Sequence, residues 1–231
     1  MTDARSSTAE RTQSRRVRNR IGLAVAPLLE TYERFKATPH LEVLYPQYLV
    51  LTHMIIRASV PLMRTAVARL ADMPDDPLAS RLGAYLEEHV VEEEAHDEWV
   101  LDDLAELGVD RRAVLDRMPP PMVAAMVGAQ YYWILHHHPA ALLGYIAALE
   151  GYPATTEDIE EMIVRTGLPV AGFRTWSKHA GLDPHHNRQL DELLDQLPLT
   201  PADIACICVS GMTTVRFAVA AFNELFQDYG D

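Results

Sequence analysis

The amino-acid sequence predicts an all-α protein, a bundle of about seven to eight helices. Apolar residues recur at helical spacing along most of the 231 residues. Residues typical of helix starts and stops bound these runs, and patterns of alternating strands or βαβ units are almost absent. A composition that is 48% hydrophobic suits one sizeable core. We therefore expect a disordered basic tail over residues 1–20 and a single helical domain over residues 21–231.

The order of capping residues sets the expected helix boundaries. Asp76 and Pro77 have the residue types of an N-cap and a first helical position, and the apolar periodicity after them ends before Gly108. Thr200 opens the last helix, with Asp203 as a capping-box analogue. Further helices are expected at about residues 21–36, 45–72, 121–136, 139–150, 155–166 and 184–196.

Charge and cysteine content limit the partners and the compartment. The net charge of −13 disfavours nucleic acid, which needs a basic surface. No apolar run approaches the roughly eighteen residues that span a bilayer, so no membrane partner is expected. The stretch SRRVRNRIGLAVAPLL superficially resembles an export signal, but its apolar part is brief and no A-x-A site follows. The only cysteines, Cys206 and Cys208, are too close together to close a large loop, which favours a reducing, cytoplasmic setting.

The segment HVVEEEAHDEW, residues 89–99, combines two histidines with three consecutive glutamates. On one continuous helix, His89, Glu93 and His96 point in nearly the same direction, with Glu92 beside them. The spacing Glu93-x-x-His96 is one by which helical bundles place a carboxylate and an imidazole on a metal ion. A single pair of this kind is also typical of a solvated acidic face. The residues expected to form that wet face are Glu87, Glu88, Glu94 and Glu98.

Two later segments carry further candidate ligands. Glu150 ends the apolar stretch LLGYIAALE, where a carboxylate is costly unless it is paired or binds a cation. An exposed glutamate at the helix end is the alternative. In KHAGLDPHH, His179, Asp183 and His186 have i, i+4 and i+7 spacing, which is one helical face. Asp183 and Pro184 are also a good N-cap pair, so the helix either begins there or continues through Pro184 with a kink.

Together the three segments offer carboxylates and imidazoles from three separate helices. Mixed histidine and carboxylate ligation suits iron or manganese, and the absence of cysteine from these motifs disfavours a structural zinc site. More than four candidate ligands indicates two metal ions with bridging carboxylates. Spacing alone gives no reason to assign His185 or the run 136–138 as ligands.

In order and approximate spacing, three segments resemble the haem-oxygenase-like di-iron oxidases and oxygenases, a family of iron-containing redox enzymes. The segments are HVVEEEAHDEWVLDDLAELG, HHHPAALLGYIAALEG and HAGLDPHHNRQLDELL. The resemblance covers about residues 40–225. It implies a haem-oxygenase-like bundle of about seven helices, with two ferrous ions at its centre that activate molecular oxygen as co-substrate. The positions that match the family's iron ligands are Glu93, His96, Glu150, His179, Asp183 and His186.

The chain departs from the family pattern in the helix before the ExxH motif. Many relatives have a further glutamate there, whereas YLVLTHMIIRASVPLMRTAV has none, and His53 is its only comparable side chain. Other relatives use the residue seven positions before the histidine, which here is His89. Either His89 completes the second iron site, or that site is weak and fills only with substrate. The structural alternatives are a surface histidine at His89 and a core histidine at His53.

By this resemblance, we expect an iron-dependent oxidoreductase that acts on a small amino acid or amine in natural-product biosynthesis, by N-oxygenation or oxidative fragmentation. A fatty-acid oxidative decarboxylase of the same fold would need a long apolar tunnel. A non-catalytic metal-binding or partner-binding bundle is the third hypothesis. Haem-binding relatives have no reason to keep the full ligand set, and thiaminase-like relatives use a mid-chain cysteine that this sequence lacks.

The substrate pocket and the quaternary structure are less specified by the sequence. The amphipathic last helix, with FAVAAFNELF near its end, could pair two chains in a homodimer. The aromatic residues that could wall a cavity or support the ligands are Tyr85, Trp99, Tyr131, Tyr132, Trp133 and Tyr145. The candidate counter-charges for a small-molecule substrate are Arg57, Arg174 and Lys178.

Overall fold

The computed structural model describes residues 12–229, which form eleven α-helices and two short 3-10 turns, with no β-strand in this range. The first six helices are α1 (Gln13–Gly22), α2 (Ala26–Ala37), α3 (Leu41–Ala71), α4 (Ala79–Glu93), α5 (His96–Glu106) and α6 (Arg111–Leu115). The last five are α7 (Pro121–His136), α8 (Leu142–Leu149), α9 (Thr156–Thr166), α10 (Arg174–Gln196) and α11 (Pro201–Tyr229). The prediction of an all-α bundle is confirmed.

Helix α1 corrects the expected disordered tail. Residues 13–20 are helical, so the prediction for residues 1–20 is wrong in this part; residues 1–11 lie outside the described range. Val17 and Ile21, one turn apart, are fully buried where α1 packs against α10 and α11. Arg18 adds an ion pair with Asp191 of α10, at 2.9 Å. Residues 1–20 contain six arginines, which favoured a disordered segment although Val17 lies among them on an apolar face.

Two predicted helices have different limits in the structure. The expected continuous helix from residue 77 to 107 is divided into α4 and α5, because Glu94 is extended and Ala95 is left-handed, with φ of 68°. Helix α10 begins at Arg174 and continues through Pro184, so of the two alternatives the helix that contains the proline is the observed one. Both differences lie within the candidate metal-binding segments.

The long helices α3 and α11 form the centre of the bundle. Helix α11 lies along α8 so closely that a Cβ atom added to Gly144 would be 2.0 Å from the Ile207 carbonyl oxygen. A Cβ added to Gly211 would be 2.8 Å from the Gly144 carbonyl oxygen. Glycine is required at both positions because the backbones of the two helices are in contact. This contact fixes α8, and with it Glu150 at the end of α8, against the core.

Helix α11 is also the one helix among residues 12–229 that is long and apolar enough to cross a membrane. The search for uninterrupted apolar runs had predicted none. Ile207, Cys208 and Val215 of α11 are buried against other helices of the bundle. A core helix meets the same criteria of length and composition, and α11 occupies the position of one.

Candidate metal centre

Helices α4, α5, α8 and α10 bring six of the seven predicted ligands together in two adjacent groups. In each group, one potential ligand atom from every member lies within 4.8 Å of the others. The first group, called the quartet here, consists of His89, Glu93, Glu150 and His186. The second, called the triad, consists of Glu93, His96 and His179. Glu93 belongs to both groups, so its carboxylate joins them.

The quartet is organised around Glu150, the residue that ends α8. Its Oε1 lies 3.0 Å from Nε2 of His89, and its Oε2 lies 3.6 Å from Nδ1 of His186. The same His186 nitrogen is 3.7 Å from Oε1 of Glu93. The two imidazole rings meet edge to face, with their centroids 4.9 Å apart. His89 is therefore buried inside the group and is not a surface histidine.

The triad spans the break between α4 and α5. Nδ1 of His96 lies 3.1 Å from Oε2 of Glu93, although the two groups are not aligned as a hydrogen bond. His179 meets His96 edge to face at 5.1 Å. Nδ1 of His179 donates a hydrogen bond of 2.9 Å to the Thr175 carbonyl oxygen. Because a carbonyl only accepts, this bond fixes the proton on Nδ1 and leaves the lone pair of Nε2 for a ligand.

The local backbone explains why Glu93 and His96 face each other despite the break. Glu93 is the last residue of α4 and His96 is the first of α5, with only Glu94 and Ala95 between them. Ala95 is left-handed and interrupts the helix, and on either side of the break Glu93 and His96 are buried while Glu94 is exposed. A left-handed non-glycine residue is uncommon. The sequence pattern predicted a continuous helix here, which is wrong, but Glu93 and His96 still lie close together across the break.

The pKa shifts follow from burial and from the high density of carboxylates. Burial lowers the pKa of His89, but the hydrogen bond to Glu150 and the charges of Glu150 and Glu93 outweigh it and raise the value to about 9. Burial raises the pKa of Asp183 to about 8, with the charges of Glu150 and Glu93 adding to the effect. The pKa of His179 is lowered, chiefly by burial, which favours the neutral imidazole that metals bind.

Several buried polar atoms of the site have no hydrogen-bond partner among residues 12–229. They are Nδ1 of His96, Nδ1 of His186, Oε2 of Glu150 and Oδ1 of Asp183. A buried polar group without a partner costs about 1–3 kcal/mol, so four in one place require a compensating interaction. Imidazole nitrogens and carboxylate oxygens are the donors that suit iron, and the residues present therefore fit a metal centre.

Asp183 and His53 are the candidates that lie outside both groups. Asp183 is only 5% exposed and lies near the site, but it belongs to neither the quartet nor the triad. His53 on α3 is fully buried, and neither ring nitrogen has a hydrogen-bond partner among the described residues. Burial lowers its pKa. Of the two histidines considered in place of the missing glutamate, the structure brings His89 to the cluster and leaves His53 apart from it.

The structure adds supporting residues that spacing did not identify as part of the site. Oε2 of Glu92 is 3.4 Å from Nδ1 of His89 and 3.8 Å from Nε2 of His186. The side chain of Asn187 donates a 2.7 Å hydrogen bond to the carbonyl oxygen of Glu150. The three-residue separation of Glu92 from His89 is the one sequence feature that indicated their contact. No local pattern predicted the contact of Asn187 with Glu150.

Two of the predicted aromatic residues support ligands directly. The ring of Trp99 stacks on His96 at 3.9 Å, and the ring of Tyr85 stacks on His89 at 5.5 Å. Each aromatic residue stands three or four positions from its histidine, which is the helical neighbour spacing. Lys178 covers the Trp99 ring, with Nζ 3.6 Å from its centroid. This lysine is therefore engaged with an aromatic ring at the site's outer edge.

A cavity of about 430 Å³ opens beside the ligands and extends towards α2. His89, Glu93, Glu150, His179 and Asp183 lie in its wall, and most of the remaining lining is aliphatic or aromatic.

Of the predicted wall residues, Tyr145 lines this cavity, whereas Tyr131, Tyr132 and Trp133 are not among its lining residues. The candidate counter-charges Arg57, Arg174 and Lys178 do not line it either. Arg174 instead binds Asp103, at 3.2 Å.

Comparison with known proteins identifies the family. The family model described as iron-containing redox enzyme matches residues 48–215. The chain belongs to this family. The match spans all seven predicted metal ligands and confirms the resemblance inferred from the sequence. It indicates an oxidoreductase with iron as the metal. Comparison with curated protein sequences gives no match.

Solved structures show the same fold at low sequence identity. A domain of unknown function with a heme oxygenase-like fold from Shewanella denitrificans is similar with a TM-score of 0.75 and 16% identity, covering 99% of this chain and 94% of that one. A TenA homolog from Pseudomonas syringae pv. tomato is similar with a TM-score of 0.68 and 14% identity, covering 91% of each chain. The haem-oxygenase-like fold of this iron-containing redox enzyme is thereby confirmed. Neither cysteine is among the residues that line the cavity in the described part of the chain.

Proposed function

We propose that this iron-containing redox enzyme is a cytoplasmic, non-haem di-iron oxidase or oxygenase that uses molecular oxygen to oxidise an amino acid or amine in natural-product biosynthesis. The observation that carries the proposal is the shared position of Glu93 in two adjacent groups of buried ligands. A carboxylate common to two sets of histidine and carboxylate donors is what a pair of iron ions requires.

In this proposal, the quartet would bind one iron ion and the triad the other. His89, Glu150 and His186 would hold one ion, His96 and His179 would hold the other, and Glu93 would contact both. Asp183, buried beside them, is the remaining ligand that the family resemblance implies. Bound ferrous iron supplies the electrons that reduce dioxygen.

The chain's own contribution is positioning and the exclusion of water. The Thr175 carbonyl holds His179 in the tautomer that presents Nε2, and Trp99 and Tyr85 pack on the other imidazoles. Asn187 fixes the backbone at Glu150. The apolar cavity next to these residues holds an organic substrate in a weakly hydrated environment, close to the metal ligands in its wall.

A fatty-acid oxidative decarboxylase is the second candidate, because the same apolar cavity would accept an acyl chain. In that case the substrate carboxylate would have to bind the metal ions themselves, since Arg57, Arg174 and Lys178 lie outside the cavity wall. Product analysis with oxygen and iron distinguishes the two: loss of carbon dioxide from a fatty acid, or oxidation of an amine.

The first experiment is an anaerobic titration of the metal-free protein with ferrous iron, followed by rapid mixing with oxygen and absorbance detection. We expect two equivalents to bind and a transient visible absorbance to follow. His186→Ala should lower the number of bound ions, and His185→Ala is the matched control because the neighbouring side chain is exposed. Fewer than one bound equivalent, with no change in His179→Ala, would exclude the di-iron proposal.

A further inference from the structure

The cavity beside the metal ligands has a wall that is unusually rich in aromatic side chains. Tyr48 lies between Trp176 and Phe222, with its ring stacked against theirs at centroid distances of 5.4 and 5.2 Å. Aromatic faces carry partial negative charge and attract cations, most strongly where water is excluded. The six aromatic residues of the lining are Tyr32, Tyr48, Tyr145, Tyr152, Trp176 and Phe222.

Within residues 12–229, apart from the imidazoles of His89 and His179, every ionisable acid or base in the wall other than the tyrosines is a carboxyl group. Glu93, Glu150 and Asp183 lie at the metal-binding end, and Glu33 and Asp158 lie at the other. Within the described part of the chain, no lysine or arginine is among the lining residues.

The ammonium group of Lys36 contacts both carboxylates at the outer end of the cavity. Its Nζ is already 2.9 Å from Glu33 and 2.7 Å from Asp158. The His89 imidazole in the wall is likewise paired, with Glu150 at 3.0 Å. A carboxylate bound in this cavity would therefore have no free protein cation to pair with, and burying it unpaired is costly.

Two buried hydroxyl groups in the wall are also without partners. Thr175 and Tyr145 are each 2% exposed, and neither hydroxyl makes a hydrogen bond within residues 12–229. The Tyr145 hydroxyl has Ser59 nearby, but without hydrogen-bond alignment. Hydroxyl oxygens accept hydrogen bonds from N–H groups. Thr175 precedes His179 by one helical turn, so its hydroxyl lies at the metal-binding end of the wall.

We propose that the substrate is a hydrophobic amine, a molecule with a largely hydrocarbon body, one amino group and no carboxylate. The aromatic and aliphatic wall takes the body. The ring faces and the hydroxyls of Thr175 and Tyr145 take the amino group, and the acidic wall disfavours a carboxylate on the same molecule. This narrows the proposed function: of the amines, amino acids and fatty acids considered as substrates, it favours an amine. The oxidation of this amine rests on the proposed function, whereas its binding in the cavity does not.

The test is a binding series in which only the head group changes. Octylamine, octanol, octanoate and 2-aminooctanoate share a similar apolar chain and differ in charge. Affinity is measured by the fluorescence of Trp176, with Trp176→Phe to identify its signal, and by the shift in melting temperature. Metal-free and manganese-loaded protein are compared, without oxygen. We expect octylamine to bind about tenfold or more tightly than octanoate and 2-aminooctanoate, with octanol between them.

A variant with a cation in the wall reverses the expected order. Thr52 lines the cavity on α3, and Thr52→Lys adds a positive charge there. We expect this variant to lose the amine preference and to gain affinity for octanoate. Octanoate or 2-aminooctanoate binding as tightly as octylamine to the unaltered protein, with or without manganese, would overturn the proposal. Amine binding that is unchanged in a folded Thr52→Lys protein would also overturn it, since the amine would then bind elsewhere on the acidic surface.

These outcomes are separable from those of the iron titration. A protein that binds two ferrous ions and consumes oxygen, but prefers octanoate, contradicts only the substrate class. A protein that prefers octylamine but binds no iron contradicts only the di-iron function.

Discussion

Two groups of polar side chains are buried in the bundle, and they differ in how their hydrogen bonds are satisfied. Between α7 and α11, Gln130, Ser210 and Thr214 are each fully buried. The Gln130 amide donates to Thr214 Oγ1 at 3.3 Å and accepts from Ser210 Oγ at 3.0 Å, and Thr214 donates to the Ser210 carbonyl oxygen at 2.9 Å. The histidines and carboxylates of α5, α8 and α10 instead leave four buried atoms without partners in the described chain.

The difference separates a structural network from a binding site. A network whose donors and acceptors match each other stabilises the fold without a ligand. A group of carboxylates and imidazoles has more lone pairs than protons, so its members cannot all be satisfied by one another.

The same contrast holds for two aspartates. Asp103 is fully buried and accepts from the Thr175 backbone N–H at 2.8 Å and from Arg174 at 3.2 Å. Asp183 is nearly as buried, but its Oδ1 has no donor in residues 12–229. The second aspartate therefore belongs to the group of buried atoms without partners beside the candidate metal ligands.

The largest expected effect is the loss of metal binding when the residue shared by the two groups is removed. Glu93→Ala should weaken iron binding by about 100-fold or more, because even residues that only support a ligand contribute about 10–100-fold. Both equivalents should be affected, since Glu93 belongs to the quartet and the triad. The measurement is the anaerobic iron titration.

The control for this variant is Glu94→Ala, which removes the exposed neighbouring glutamate. It should leave the iron stoichiometry at the unaltered value. If Glu93→Ala still bound two equivalents with unchanged affinity, the shared-carboxylate arrangement would be wrong.

Metal binding should also stabilise the fold. A ligand that binds only the folded state at 100 times its dissociation constant adds about 2.7 kcal/mol to the free energy of unfolding. For a chain of this size, that raises the melting temperature by roughly 5–10 °C. Calorimetry of the protein with manganese, and again after chelation, measures the shift. Equal melting temperatures in both states would show that the unsatisfied atoms do not bind the metal.

A change in the network of Gln130, Ser210 and Thr214 should affect stability but not metal binding. Gln130→Ala leaves two buried hydroxyl groups with fewer partners and should lower the free energy of unfolding by about 1–3 kcal/mol. Iron stoichiometry should not change, because Gln130 is in neither metal group. Urea titration gives the first quantity and the iron titration the second. A loss of bound iron in a folded Gln130→Ala protein would mean that the two polar regions are coupled.

Local sequence patterns predicted most helix positions because caps and apolar spacing act within a few residues. The Thr155–Asp158 capping box, for example, begins α9 almost where the pattern placed it. The break at Ala95 was not predictable in this way. Alanine favours a continuous helix, and the left-handed backbone is maintained by the burial of Glu93 and His96 on either side.

The candidate ligands were predictable as helical faces, whereas their assembly was not. Sequence spacing relates residues on one helix, but the contact of His89 with Glu150 joins residues 61 positions apart. The choice between His89 and His53 depended on such contacts, since both lie on helices with apolar faces. That no lysine or arginine within residues 12–229 lines the cavity is likewise a property of the packed bundle, and no single segment encodes it.

The smallest expected effect is on stability, from removing the ion pair between Lys36 and Asp158 at the outer end of the cavity. Like the Gln130 network, this pair has its hydrogen bonds satisfied. Asp158 accepts from Lys36 at 2.7 Å and from the Thr155 hydroxyl at 2.8 Å. Burial raises the pKa of Asp158, but these bonds outweigh burial and lower it. A carboxyl with a depressed pKa in the folded state stabilises the fold above its unfolded pKa of about 3.9, and the contribution is lost as the pH falls through the folded value.

Asp158→Asn should therefore lower the free energy of unfolding by about 0.5–1 kcal/mol at neutral pH. The difference from the unaltered protein should shrink as the pH falls below about 4, where the wild-type carboxyl takes up its proton. Urea titrations over this pH range measure it, with Glu157→Gln, in the same helical turn but exposed, as the matched control. A difference that stayed constant with pH would assign the stability to the capping hydrogen bonds alone, because these do not need the charge of Asp158.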